Sequence, residues 1–327
     1  MTESDERANA YWRVVAGWSA VGISTLMAGF WAFWGIIENF HEGWWQRSLL
    51  ENVAMMLVQY LGAALVFMTL GVIAIRWGVV GGLLHVAAGV ALYVLLFHGD
   101  NVTALMLIMI PMALLGAGYA IGEISNRMWA YRLVVLAPLG VMLFFGVEPA
   151  WRVSQRQFDN DPGARVLPVG KTGEWLMWAP AGPGWPEEGC TWFEARERCA
   201  RLSLDGCTLA DSVVGVWRLP TVGELVRSAR QHGQLAGGTY DSLSGRVMYV
   251  YGPDKESPLW NPYSKVIYWW TASEIDDSTV YKYVYDGKIW PARKRWQLPY
   301  LGYRAVREVD SAANAATTDA VAETSGH

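Results

Sequence analysis

Five long apolar runs, almost bare of charge, fill the first half of this 327-residue chain, and they narrow its possible folds more than any other feature. The runs are Val14–Ile37, Asn52–Ile75, Gly78–Phe97, Val102–Ile124 and Tyr131–Val147. Each is close to the ~20 residues that a helix needs to cross a bilayer. Up to Pro149 there are six Lys+Arg and nine Asp+Glu; the remainder holds 20 and 21. A soluble domain of ordinary composition therefore follows a membrane domain. Pro111 and Pro138 fall inside runs, where membrane helices tolerate them. Trp12, Trp44, Trp45, Trp77 and Trp129 stand at run ends, as an interfacial aromatic belt requires. The acidic tail Thr2–Asn9 and the length of the first run do not match a cleavable signal peptide.

Charge in the short loops predicts the orientation. With the N-terminus inside, Arg7, Arg13, Arg76, Arg127 and Arg132 lie inside and Arg47 outside, which favours a cytoplasmic N-terminus. Five crossings then place the C-terminal domain in a periplasm or outside the cell, in an inner (plasma) membrane protein; four crossings would reverse it. The expected layout is a tail at 1–13, a membrane domain at 14–148, a linker at 149–169, a globular domain at 170–309 and a disordered tail at 310–327. The net charge is −4 and neither half is basic, so nucleic acid is not an expected partner.

Within the membrane half, His85 and His98 sit near opposite ends of one run, and His41 lies in a loop. Two bis-histidine haems would need four such ligands, so the histidines read as interfacial or hydrogen-bonded and no cofactor is expected. Glu123, near a run end, reads as a snorkelling or paired carboxylate rather than a proton relay. Gly78, Gly81, Gly82, Gly116, Gly118 and Gly122 permit close helix packing, within the chain or against a partner subunit. No paired broken helices with clustered charge point to a transporter.

The second half carries an α+β pattern of two helices and short antiparallel strands. Glu174–Trp178 reads as a strand. Thr191 with Glu194, and Thr221 with Glu224, form capping boxes that start helices. In the first helix Trp192, Ala195, Cys199 and Leu202 share a face; in the second, Val222, Leu225, Val226 and Ala229 do. Pro220 ends the extended segment before the second helix. Val247–Tyr251, Val266–Thr271 and Thr279–Tyr285 read as strands, Asp286-Gly287 as a hairpin turn into Lys288–Trp290, and Tyr303–Arg307 as a closing strand.

In order, the pieces are Leu176-Met-Trp178, Trp192-x-x-Ala-x-x-x-Cys199, Trp217-Arg218-Leu-Pro220-Thr221-x-x-Glu224, Tyr268-Trp269-Trp-Thr-Ala-Ser273 and Tyr303-Arg304-Ala-Val-Arg307. This set, over about residues 170–308, resembles the Lcl C-terminal domain family of bacterial surface and periplasmic proteins. That family is related to the C-type-lectin-like and formylglycine-generating-enzyme folds. The resemblance implies a lectin-like fold used in binding or adhesion. The family commonly has a cysteine in the closing strand, able to pair with the one matching Cys199; here that position is Ala305.

Among the cysteines, Cys190 and Cys199 are held apart by a helix. A Cys199–Cys207 bridge is expected, with Cys190–Cys207 left open. No Cys-x-x-Cys and no nearby histidine suggest a metal. No cysteine follows Cys207, so the copper-binding pair of the formylglycine-generating enzymes is missing, and His232 alone supports no triad; an enzyme is not expected. Trp260, Asn261 and Tyr263, and Trp290, Arg293, Lys294, Arg295 and Trp296, fall in predicted loops. Their rings could stack on sugars and their cations hold an acidic glycan or lipid headgroup; equally, the tryptophans could fill the core. Trp217 and Trp269 read as core, and Arg218 with Glu224 as a buried pair or an exposed cap. The expected role is non-catalytic recognition by a membrane-anchored lectin-like domain; the alternative is a scaffold subunit of an envelope or membrane complex.

Overall fold

The computed structural model describes residues 3–97, 103, 105–156, 165–169, 174–231, 234–235, 237–252 and 261–309. The expected tail at 310–327, and His98, His232 and Trp260, lie outside these residues. The chain divides into two compact units: one formed by residues up to Trp44 with Ser48–Ala150, the other by Trp45–Arg47 and everything from Trp151 on.

The first unit is helical, and the protein is a multi-pass membrane protein with three to four candidate spans. Helix α1 covers Glu3–His41; α2, Leu49–Met55, continues through a π-helical turn, Met56–Tyr60, into α3, Gly62–Arg76. Helix α4 is Gly78–Phe97, α5 is Ile110–Ile121 behind a second π-helical turn at Leu105–Met109, and α6 is Arg127–Ser154. Asn9–His41, Gly78–Leu95 and α6 are long and apolar enough to cross a bilayer. The second run counts as a fourth if its two parts, bent by 65°, form one broken span. The described part of the fourth run, 105–121, is helical but shorter than a full crossing. The fifth run, the shortest in sequence, gains length because α6 continues beyond its apolar part and carries both Pro138 and Pro149 inside.

Contacts between the helices fix their directions. Gly78 meets Tyr119, Gly82 meets Gly116 and Gly89 meets Met112, so α4 and α5 run antiparallel. Gly17 meets Glu123 and Ala20 meets Gly118, so α1 and α5 are also antiparallel. Gly29 meets Val141, Phe33 packs on Phe145 and Ile36 meets Gly146, so α1 and α6 are parallel. A Cβ on Gly82 would lie 2.4 Å from Gly116 O, so only glycine permits this approach. His85 is buried here, its Nδ1 bonded to Gly81 O at 2.8 Å and its ring stacked on Tyr119. Glu123 is exposed, just beyond α5.

The second unit is mixed α/β with small sheets. Strand β1, Arg165–Val169, pairs antiparallel with β2, Glu174–Trp178. Residues 165–169, expected in a linker, form a strand through five consecutive cross-strand partners, a pairing that local pattern does not reveal. Helices α7, Trp192–Arg201, and α8, Val222–Ser228, start at Thr191 and Thr221, and both capping boxes form. Two small hairpins follow, β3 (Arg230–Gln231) with β4 (Gln234–Leu235), and β5 (Thr239–Asp241) with β6 (Arg246–Met248). The main sheet has β7 (Tyr268–Glu274), β8 (Thr279–Val284), β9 (Ile289–Arg293) and β10 (Leu301–Gly302), in the order β10-β7-β8-β9. β10 runs parallel to β7, the one departure from antiparallel pairing among these strands. The last strand, β11 (Val306–Val309), pairs with β2.

Alternation along β7 and β8 gives the main sheet two buried faces. Trp269 and Tyr283 join a core with Trp178, Val306 and the α8 residues Val222, Leu225 and Val226. Trp270, Val280 and Ala292 join a second core with Trp192, Ala195 and Cys199 of α7. Side-chain bonds stitch these layers: Trp192 Nε1 donates to Thr271 O at 2.9 Å, and Trp270 Nε1 to Cys190 O at 2.8 Å. The expected Cys199–Cys207 bridge is not formed. All three thiols are free, because Cys199 points into the core beside Ala305 while Cys207 faces solvent in the next loop.

Candidate functional site

The run Arg293-Lys294-Arg295 leaves the end of β9, and its neighbours pull the middle residue inward. Lys294 is buried: its Nζ pairs with Glu274 and donates to Asp276 O at 2.8 Å and Asp277 O at 3.1 Å. The ammonium also sits 4.9 Å from the Trp192 ring. Its backbone takes part as well, since Lys294 N donates to Ser278 O and Lys294 O accepts from Trp192 N. Lys294 thus staples the turn before β8 to the start of α7, and it is committed to the fold rather than to a ligand.

With Lys294 turned in, Arg293 and Arg295 turn out. Both are exposed, and neither guanidinium makes an ion pair or hydrogen bond among the described residues. They line a groove of about 680 Å³ with Phe193, Asp277, Ser278, Thr279 and Trp296. The turn that forms one wall is held by Asp276, whose Oδ1 accepts from Ser278 N at 2.7 Å. Those bonds hold the Asp276 carboxyl below its usual range. Phe193 is presented from the first turn of α7 and is half exposed. Trp296 is also partly exposed, and the chain folds back to it through Trp296 N bonding Arg293 O.

Behind Trp296 lies a lysine that was not expected at the site, Lys282. Lys282 stands opposite Trp290 in the β8–β9 register. Its ammonium is 4.1 Å from the Tyr268 ring centre, 5.7 Å from Trp290 and 5.8 Å from Trp296. Lys282 is nearly buried, and burial lowers its pKa. Ring faces stabilise such a cation by about 2 kcal/mol when it is desolvated. Lysine in an otherwise aromatic strand, alternating with Tyr281 and Tyr283, was the available signal.

The other predicted loop does not join this groove. Asn261 is buried and folds on itself, its Oδ1 accepting from Tyr263 N at 2.9 Å, while Tyr263 is partly exposed. The motif residues are structural. Trp217 is buried and its Nε1 donates to Ser203 O. Arg304 is buried with its guanidinium 3.9 Å from the Trp185 ring centre and Nε on Ala179 O. Arg307 lies 5.1 Å over Trp217. Arg218 binds Glu224 and pairs by its backbone with Val306, and Pro220 O accepts from Ala272 N. The Cys190 thiol, pushed up to about 11 by burial, and the more deeply buried Cys199 thiol, raised further, are protonated at neutral pH.

Comparison with protein-family models finds no match for this chain, and comparison with curated proteins finds none either.

Proposed function

We propose that this is a membrane-anchored recognition protein, whose mixed α/β domain is lectin-like and binds an anionic ligand in the Arg293–Trp296 groove. The observation that carries this reading is the pair of outward guanidinia, unpaired among the described residues, beside the partly exposed Trp296 and Phe193. Arginine forks match carboxylates and phosphates, and flat aromatic faces match sugar rings. The role is binding, not catalysis, since the groove offers cations and rings rather than an acid–base pair.

The lectin-like reading is supported by the mutual contacts of the residues that carry the family resemblance. Trp192 bonds Thr271, Pro220 bonds Ala272, Arg218 pairs with Val306 and Arg307 lies over Trp217, so separate motif pieces meet. The topology supports an extracytoplasmic domain in the inner (plasma) membrane: α1, α4 and α6 run one way and α5 the other, as five alternating crossings require. With arginines concentrated on the N-terminal side, the N-terminus is cytoplasmic.

The test uses the full chain in nanodiscs of zwitterionic lipid. Polygalacturonate should bind it and neutral dextran should not. Vesicles with phosphatidylglycerol, compared with phosphatidylcholine alone, separate a lipid headgroup from an acidic glycan as the ligand. Absence of binding to both acidic probes would refute the reading.

One observation favours the scaffold role. The β5–β6 hairpin exposes Leu243 and Met248, with Val250 beside them. An apolar tip of this kind fits a protein partner, and stoichiometric co-purification of another subunit in mild detergent would support it.

A further inference from the structure

The first candidate span begins at Asn9, on the stretch of α1 that has to pass from headgroups into hydrocarbon. Asn9, Trp12, Arg13 and Ala16 stand at i, i+3, i+4 and i+7 of that helix and share one face. With Ile121, the last residue of α5, they line a groove of about 450 Å³. Arg13 is held in it by its Nε, which donates to Ile121 O at 3.2 Å. Carbonyls in the last turn of a helix lack an intrahelical donor, so this bond caps α5 and fixes the guanidinium across the seam. Glu123 N donates to Arg13 O at 2.8 Å and ties the two backbones at the same place. The two Nη groups of Arg13 have no hydrogen bond or ion pair among the described residues. Glu123 is exposed and does not line the groove, nor does any other Asp or Glu among the described residues.

The groove changes character along its length. Asn9 and Arg13 give it an amide and a cationic fork at one end; Ala16 and Ile121 give it an apolar wall at the other. Seven residues of helix separate Asn9 from Ala16, about 10 Å of rise. A phospholipid makes the same change from phosphate to acyl chain over a similar depth. Guanidinium forks pair with phosphate oxygens, and an exposed indole such as Trp12 belongs at headgroup level. Basic pockets between membrane helices hold anionic headgroups in this way. We propose that the groove between the start of α1 and the end of α5 binds one anionic phospholipid, its phosphodiester on Arg13 and Asn9 and an acyl chain along Ala16 and Ile121. A headgroup with a cation of its own would set that cation near Arg13, so phosphatidylglycerol is preferred to phosphatidylcholine. The site belongs to the helical unit and does not depend on the Arg293–Trp296 groove.

The test is native mass spectrometry of the full chain in detergent, titrated with phosphatidylglycerol, phosphatidylcholine or diacylglycerol of the same tails. One phosphatidylglycerol should be retained more tightly than phosphatidylcholine, and diacylglycerol, which lacks the phosphate, should not be retained. Arg13→Gln should weaken phosphatidylglycerol by about tenfold, while Arg293→Gln with Arg295→Gln should leave it unchanged. Equal retention of the three lipids overturns the proposal, and so does an Arg13→Gln protein that holds phosphatidylglycerol as the parent does. Displacement of the lipid by inorganic phosphate at equal concentration also overturns it, because the ligand would then be the free anion. If Arg13→Gln fails to fold, the exposed Asn9→Ala decides: unchanged affinity for phosphatidylglycerol overturns it.

Discussion

Arg218 grips Glu224 with two prongs, Nη1 to Oε2 at 2.9 Å and Nη2 to Oε1 at 2.7 Å. The same carboxylate accepts Thr221 N at 2.7 Å and so caps α8, while Arg218 Nη2 also reaches Glu308 on β11 at 2.9 Å. A single side chain thereby ties the start of α8 to the extended segment before it and to β11. The Glu224 carboxylate, 12% exposed, is thus both the partner of the 38% exposed Arg218 and the cap of α8.

Replacing Glu224 by Ala removes the cap and strands Arg218. A cap contributes ~1 kcal/mol, and bonds to a charged partner add more. Arg218 is 38% exposed, so water recovers part of the loss. The mixed domain should lose about 2 kcal/mol, read from denaturant unfolding of its tryptophans. Glu224→Gln, which keeps an acceptor for Thr221, should lose about half of that.

Acid should act through the same group. Burial pushes the Glu224 carboxyl up, but the bonds from Arg218 and Thr221 outweigh it and leave it below its usual value. A depressed carboxyl contributes its full stability above the unfolded value near ~4.3 and loses it as pH falls through the folded value. Glu194, held low by Thr191 in the same way, adds to the effect. The melting temperature of the mixed domain should therefore drop below about pH 4.5, and less steeply in Glu224→Gln.

The elements visible in the sequence were those written locally. Thr191/Glu194 and Thr221/Glu224 declare helix starts, and Asp286-Gly287 declares a turn, realised with Gly287 at φ 81°. Elements that depend on distant partners were not legible: β1 exists through β2, and two-residue β10 through β7. At the groove, Arg293, Arg295 and Trp296 were legible as residue types. That Lys294 turns inward was not, because its partners Glu274 and Asp276 are about twenty residues away and meet it only after β8 and β9 pair. The bend after Tyr60 was hidden because the run stays apolar through it.

Lys294 and its neighbours should separate stability from binding. Lys294→Met leaves two carbonyls without their donor and removes the ion pair, costing the mixed domain about 2–3 kcal/mol. Substituting Arg293, exposed and with no side-chain partner among the described residues, should leave the melting temperature within about a degree of the parent.

Thiol labelling checks the core. Cys207 should react with a maleimide in the native protein, while Cys190 and Cys199 should react only after unfolding. Unfolding without reductant should then expose three thiols in all. Two thiols missing would indicate a bridge.

The most direct test is to titrate the full chain in zwitterionic nanodiscs with polygalacturonate, comparing the parent with the double variant Arg293→Gln, Arg295→Gln. Removing both forks should raise Kd by about tenfold or more, with unfolding unchanged, and added salt should weaken the parent more than the variant. Equal Kd values for the two proteins would contradict the assignment of ligand binding to this groove.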